Sequence, residues 1–206
     1  MAARQKPKFS ESVFINCPFD PAYAALFRAI AFAIIDCGFT PRCALEISNS
    51  AQPRLHKILD LVEECKLGIH DLSRTELDGV NSLPRFNMPL ELGLFLGCRR
   101  FGAQKQKTKT CLVFDREARR YQKFISDISG QDVESHDSDC RTAICRTRDW
   151  LRPQKSEHLP GGESISDRYD AFVSVLPEIC SKLKLNPEAL TFTDLIYVIK
   201  LSSIGE

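Results

Sequence analysis

The sequence lacks any run of apolar residues long enough to cross a bilayer. The longest, Ala29 to Ile35, falls far short of the ~20 residues a spanning helix needs. It also lacks an excess of either charge: 28 Lys and Arg stand against 27 Asp and Glu, a formal net charge of +1. A protein built to coat nucleic acid needs a basic surplus to displace counterions, so no direct nucleic-acid binding is expected. Met1 to Ser12 is polar and charged with no apolar core, which is no secretory leader. Nine cysteines occur, but no Cys-x-x-Cys, and the closest pair, Cys140 and Cys145, has no histidine at zinc-finger spacing. Reduced, buried thiols in a cytoplasmic chain are the expectation, with no metal and no membrane association.

Three phosphate or nucleophile motifs are absent as well. No Gly-x-Gly-x-x-Gly follows the first apolar run, where Asn16-Cys17-Pro18-Phe19 stands instead. There is no Gly-Lys-Ser/Thr loop and no Gly-x-Ser-x-Gly elbow. What is present is alternation. Short apolar runs at Val13–Cys17, Phe39–Leu45, Leu67–Asp71, Thr110–Phe114 and Asp132–Ser135 read as strands, the second weakened by Pro41. Between them, helical periodicity marks segments closed by Gly38, opened by Pro53, running from Leu90 to Cys98, from Arg116 to Ile128, and from Ser138 to Leu151. Gly93 and Gly97, four apart, suggest a helix face small enough to press against a strand. Lys105, Lys107 and Lys109 read as a solvated linker.

This alternation predicts an α/β fold, a flavodoxin-like, doubly wound, parallel five-stranded sheet in the order 2-1-3-4-5 with right-handed crossovers. An α/β domain over residues 1–152 is expected. A linker from Pro153 to Gly162, broken by Pro160-Gly161-Gly162, follows, then a C-terminal helical pair within 163–206, Ile165–Leu183 and Pro187–Ser202, packed on that domain.

In that strand order a ligand crevice forms at the carboxyl ends of strands 1 and 3. The residues delivered there are Asn16, Pro18 and Phe19 after strand 1, and Asp71, Ser73 and Arg74 after strand 3. Asp115 follows strand 4. A loop of about fifteen residues, including Asp78, Asn81, Arg85 and Asn87, leads into the third helix, and loops that long are usually functional or disordered. With Pro89 in the first helical turn, Glu91 lies in or next to it, where the helix dipole favours a carboxylate by about 0.3–1 kcal/mol and keeps it ionised. Asn87 could orient that carboxylate. The same two residues also read as a plain cap, Asn87 at the N-cap and Glu91 as a first-turn acid. Asp71 could alternatively be a receiver-type phosphoacceptor, although the acids that hold Mg²⁺ in receivers are replaced by Asn16-Cys17. His70, by alternation, points to the other face and reads as packing, and His56, His136 and His158 show no ligand spacing.

The aromatic-Pro turn Pro18-Phe19, Asp71, and the segment Asn87 to Gly93 with its Glu91-Leu92-Gly93 resemble the superfamily joining nucleoside deoxyribosyltransferases and Toll/interleukin-receptor (TIR) domains. Val13 to Phe101 also resembles bacterial TIR-like proteins associated with defence against phage. Pro84-Arg85-Phe86-Asn87 replaces the acidic-Ser-Gly-Thr segment usual in deoxyribosyltransferases, which hints at a phosphate-bearing substrate. The resemblance implies an N-glycosidase acting on NAD or a related nucleotide as substrate, with no cofactor. Glu91 would be nucleophile or oxocarbenium stabiliser. Asp71 and Asn87 would hold sugar hydroxyls or the leaving base, Arg74 and Arg85 phosphates, and Phe19 a base. It also implies a homo-oligomer. A nucleotide-sensing or assembly module without chemistry is the alternative.

Overall fold

In the computed structural model, which describes residues 7–46, 48–77 and 82–203, five parallel strands form one sheet in the order β2-β1-β3-β4-β5. The strands are β1 (Ser12–Asn16), β2 (Thr40–Arg42), β3 (Leu67–Asp71), β4 (Thr110–Asp115) and β5 (Val133–Ser135). The helices are α1 (Ala24–Asp36), α2 (Arg54–Glu64), α3 (Asn87–Phe101), α4 (Cys140–Leu151), α5 (Gly162–Leu183) and α6 (Phe192–Ser203). This is the flavodoxin-like strand order, with its reversal point between β1 and β3. Among the described residues no helix is long and apolar enough to cross a membrane.

The chain divides into two compact units. One comprises the chain up to Pro18, Phe39–Ala44 and Asn49–Asp137, and holds the sheet with α2 and α3. Every residue of β1 and β3 is buried, which is why both read as unbroken apolar runs. α2 buries Ile58, Leu61 and Val62 against Phe14 and Phe95, and the start of α3 packs Met88 and Leu92 on Leu72, Val113 and Tyr121. The close helix–strand approach is made by a glycine in the strand. A Cβ on Gly68 would stand 2.9 Å from the Phe95 ring and 2.8 Å from His70 Nε2, whereas Cβ atoms on Gly93 and Gly97 would meet nothing within 4 Å. The small-residue face anticipated on α3 is therefore not the contact. α3 keeps an outward side, on which Leu90 and Phe101 are exposed.

No α-helix spans Arg116 to Ile128. Two short 3-10 turns, Arg120–Lys123 and Ser126–Ile128, occupy it, because Arg119 is left-handed (φ 62°) and breaks the helical run. β2 keeps only three residues around Pro41, which has no N–H to donate.

The second unit comprises Phe19–Gly38, Leu45–Ser48 and the chain from Ser138 onward, with α5 and α6 packed on α1, and α5 also on α4. Phe32 stacks on Phe172 at 5.4 Å, and Arg168 grips both oxygens of Asp36. The Pro160-Gly161-Gly162 stretch is no free linker. Arg148 donates to the carbonyls of Leu159 and Pro160, and α5 already starts at Gly162, where a Cβ would stand 2.7 Å from Cys145 Sγ. α6 begins at Phe192 rather than Pro187 because Thr191 caps it, accepting from Asp194 N and donating to the Asp194 carboxylate.

Candidate functional site

Asn16, the last residue of β1, is buried and uses its amide as a strut. Nδ2 donates to the Met88 carbonyl at 2.9 Å and to His70 Nδ1 at 3.0 Å. Both amide hydrogens are thereby spent, so His70 accepts at Nδ1 and carries its proton on Nε2. His70 is packing, as the alternation implies, edge-on to Phe14 and Phe95. Burial, aided by the charge of Lys109, pushes its pKa down to about 3, so the ring is neutral and can accept. The strut pins the first turn of α3 to the carboxyl-end rim of the sheet.

Asp71, the last residue of β3, is closed to solvent. Its Oδ1 accepts the Ser73 N–H at 2.7 Å, and Oδ2 accepts from His136 Nε2 at 2.9 Å. Asp115, at the end of β4, is equally closed. Its Oδ1 accepts from Arg116 N and from Arg120 Nε, and Arg120 continues to Thr75 Oγ1 and the Leu72 carbonyl. Asp115 Oδ2 has no hydrogen-bond partner. Burial raises the Asp115 pKa, with nearby Asp71 adding to the rise and Arg120 opposing it. These groups knit the ends of β3, β4 and β5 into one buried polar network, and Ser73, Asp71 and Asp115 all belong to it.

Glu91 differs from its expected state. α3 starts at Asn87 and its first turn contains no acid, so Glu91 lies beyond the reach of the N-terminal dipole, which fades within one turn. Instead it sits on the inward stripe formed by Met88, Leu92 and Phe95, only 8% exposed. Burial pushes its pKa up to about 7, and Arg54 at the start of α2 counters part of that rise. Burial thus opposes its ionisation, where the helix dipole was expected to favour it.

The capping alternative also fails. Phe86 occupies the cap position without a side-chain bond, and Asn87 is the first helical residue, exposed to water. Arg85 is exposed, Arg74 half-buried and Pro18 buried. Asp78 and Asn81 lie outside the described residues. Phe19 falls in the second unit, 36% exposed, edge-on to Phe27 at 5.4 Å.

Among the described residues no three His, Cys, Asp or Glu side chains group so as to hold a metal ion. Compared with protein families, curated proteins and solved structures, the chain matches none. The residues themselves therefore carry the functional reading.

Three of them escaped sequence reasoning. His136 follows β5 directly, so the strand-end rule that selects Asp71 and Asp115 selects it too, although metal spacing does not. Arg120 stands five residues past Asp115 and carried no signal beyond its charge. Lys109 is 1% exposed, not part of a solvated linker. Its ammonium donates to the carbonyls of Val62 and Cys65 at the end of α2 and lies 4.6 Å from the Phe95 ring centre. A cation there answers the unpaired carbonyls and the negative end of the helix dipole, while burial lowers its pKa.

Proposed function

We propose that this chain cleaves the N-glycosidic bond of NAD or a related nucleotide, with Glu91 as nucleophile or oxocarbenium stabiliser. The observation that carries this reading is the state of Glu91: a carboxyl nearly shut off from water on the inward face of α3, its ionisation opposed by burial. An anion poorly solvated in the resting site gains most when positive charge develops opposite it. Cleavage at the anomeric carbon develops such charge. In the covalent form of the step, a Glu91 oxygen bonds C1′ as the C1′–N bond breaks and its electron pair leaves with the base. Water then attacks C1′, Glu91 departs as carboxylate, and one proton goes to solvent.

The saturation of Asp71 favours NAD within this class. Asp71 is closed to solvent and both of its oxygens already accept, from Ser73 and His136, so it is not placed to reach a leaving base. Nicotinamide bound as a pyridinium glycoside leaves neutral and needs no proton, so a single carboxylate suffices. Asp71, Asp115, Ser73 and Asn16 then act by holding the rim of the sheet in place. Asn87 would meet a sugar hydroxyl, Arg74 and Arg85 the phosphates, and Pro18 the edge of the base. The setting this reading implies is a cytoplasmic homo-oligomer in bacterial defence against phage.

Incubating the purified protein with NAD, and separately with nucleoside monophosphates, at dilute and high protein concentration tests this. Release of nicotinamide by wild type and not by Glu91→Ala is expected. Equal inertness of both proteins under every condition defeats it. A module that binds a nucleotide without chemistry is the second reading, and the saturation of Asp71 also favours it. It requires a nucleotide that binds without turnover and changes the oligomeric mass.

A further inference from the structure

Far along α3 from Glu91, the chain is charged with one sign only. Between Glu91 and Asp115 there is no acidic residue, and Arg99, Arg100, Lys105, Lys107 and Lys109 all fall there. Lys109 turns inward. Arg99, Arg100, Lys105 and Lys107 are exposed, and between them stands Phe101, 86% exposed. A net charge near zero for the whole chain conceals this local asymmetry.

The corner is built and not merely charged. The Gly102 N–H bonds the Cys98 carbonyl at 2.9 Å and ends α3. A Cβ on Gly102 would stand 2.4 Å from that carbonyl and 3.0 Å from Gln106, so only glycine allows the chain to fold this closely. Gln106 is buried and its amide donates to the Glu63 carbonyl at 3.1 Å, while Lys109 is fastened to the same end of α2. Lys105 lies 5.5 Å from the Phe9 ring centre and Arg100 6.0 Å from that of Phe101. One acid, Glu63, acts on the inward Lys109 rather than on the four outward cations.

A fixed turn thus holds one exposed aromatic ring, with Arg100 beside it, among four outward cations. From this we infer that the Arg99–Lys107 corner binds single-stranded nucleic acid without sequence preference, Phe101 stacking on a base and the cations meeting flanking phosphates. An unpaired base offers a face to an aromatic ring, and each such stack contributes about 1–3 kcal/mol. A duplex keeps its bases stacked on each other and leaves Phe101 without a partner. An anionic membrane would welcome the cations, but a single ring buries too little apolar surface for stable anchoring.

The test is fluorescence anisotropy of the full chain with labelled oligo-dT and oligo-rU of about twelve nucleotides. Micromolar binding is expected at about 50 mM salt, with log K falling against log salt at a slope near −3, about −0.7 for each of four phosphates. Phe101→Ala and Phe101→Leu should each weaken binding about tenfold, and Arg100→Glu with Lys107→Glu should abolish it. All of these side chains are exposed, so the variants should fold, and circular dichroism checks that they do. Vesicles of phosphatidylserine and phosphatidylcholine form the other arm. The inference is overturned by absent oligonucleotide binding, by binding that these substitutions leave unchanged, or by a duplex that competes as well as a single strand. Vesicle binding that Phe101→Leu preserves, without oligonucleotide binding, overturns it in favour of a membrane surface.

Discussion

His136 Nε2 stands 2.9 Å from Asp71 Oδ2, both side chains closed to solvent, so the residue after β5 is fastened to the last residue of β3 across the intervening β4. The Phe114 ring packs edge-on to the imidazole at 5.6 Å. A buried carboxylate deprived of its donor carries an uncompensated charge, so His136→Phe should destabilise the fold by about 3–5 kcal/mol. Adding Asp71→Asn in the same chain removes the charge and should recover more than about 1 kcal/mol of that loss. Urea unfolding of the two single variants and the double variant measures this, and strictly additive losses would show that the pair is not coupled.

Glu91 and His70 shift in opposite directions, which sets the pH dependence of stability. The folded state holds the Glu91 proton more tightly than the unfolded chain does. Glu91 therefore favours folding below its ordinary 4.5, and that contribution is lost as pH rises through about 7. His70 in the fold resists protonation, so its contribution is present above its ordinary 6.5 and lost as pH falls towards about 3. Between pH 4.5 and 6.5 the two slopes, each about 1.4 kcal/mol per pH unit, offset each other in the wild type. Glu91→Gln removes the Glu91 slope, so from pH 6.5 to 4.5 the variant should lose about 3 kcal/mol more than the wild type. Denaturant unfolding at a series of pH values decides it, and parallel curves for the two proteins would refute the burial of Glu91.

The glycines give a third expectation. Gly68→Ala forces a Cβ against Phe95 and His70 and should lower stability by about 1–3 kcal/mol. Gly93→Ala and Gly97→Ala, in open space on α3, should each raise it by about 0.5–1 kcal/mol by reducing the freedom of the unfolded chain. Thermal unfolding of the three variants reads both signs, and a loss at Gly93 or Gly97 would restore the packing role first expected of them.

The sheet was legible because a parallel strand covered on both faces has an apolar middle, and Val13–Ile15, Leu67–Ile69 and Leu112–Phe114 announce β1, β3 and β4 that way. Pro41 foretold a short β2. What the sequence withheld depends on partners far along the chain. Lys109 is held by main-chain carbonyls of α2, which have no signature in side-chain type, and it therefore looked like its solvated neighbours Lys105 and Lys107. The burial of Glu91 was half-visible, since it stands three residues after Met88 on the stripe continued by Leu92 and Phe95, but the cap-like pattern around Asn87 pointed to the dipole instead. His136 was hidden because metal spacing is the wrong question for a histidine whose partner is a single distant carboxylate. The 3-10 turns after β4 depend on one left-handed residue, Arg119, that nothing in its type demands.

The two outermost strands, β2 and β5, are three residues long, and β2 carries Pro41. Each flank of the sheet thus offers few open amide groups for another chain to extend the ladder. Among the described residues, filament growth by strand addition has little foothold, which leaves helices and loops as the larger surfaces for any assembly of copies.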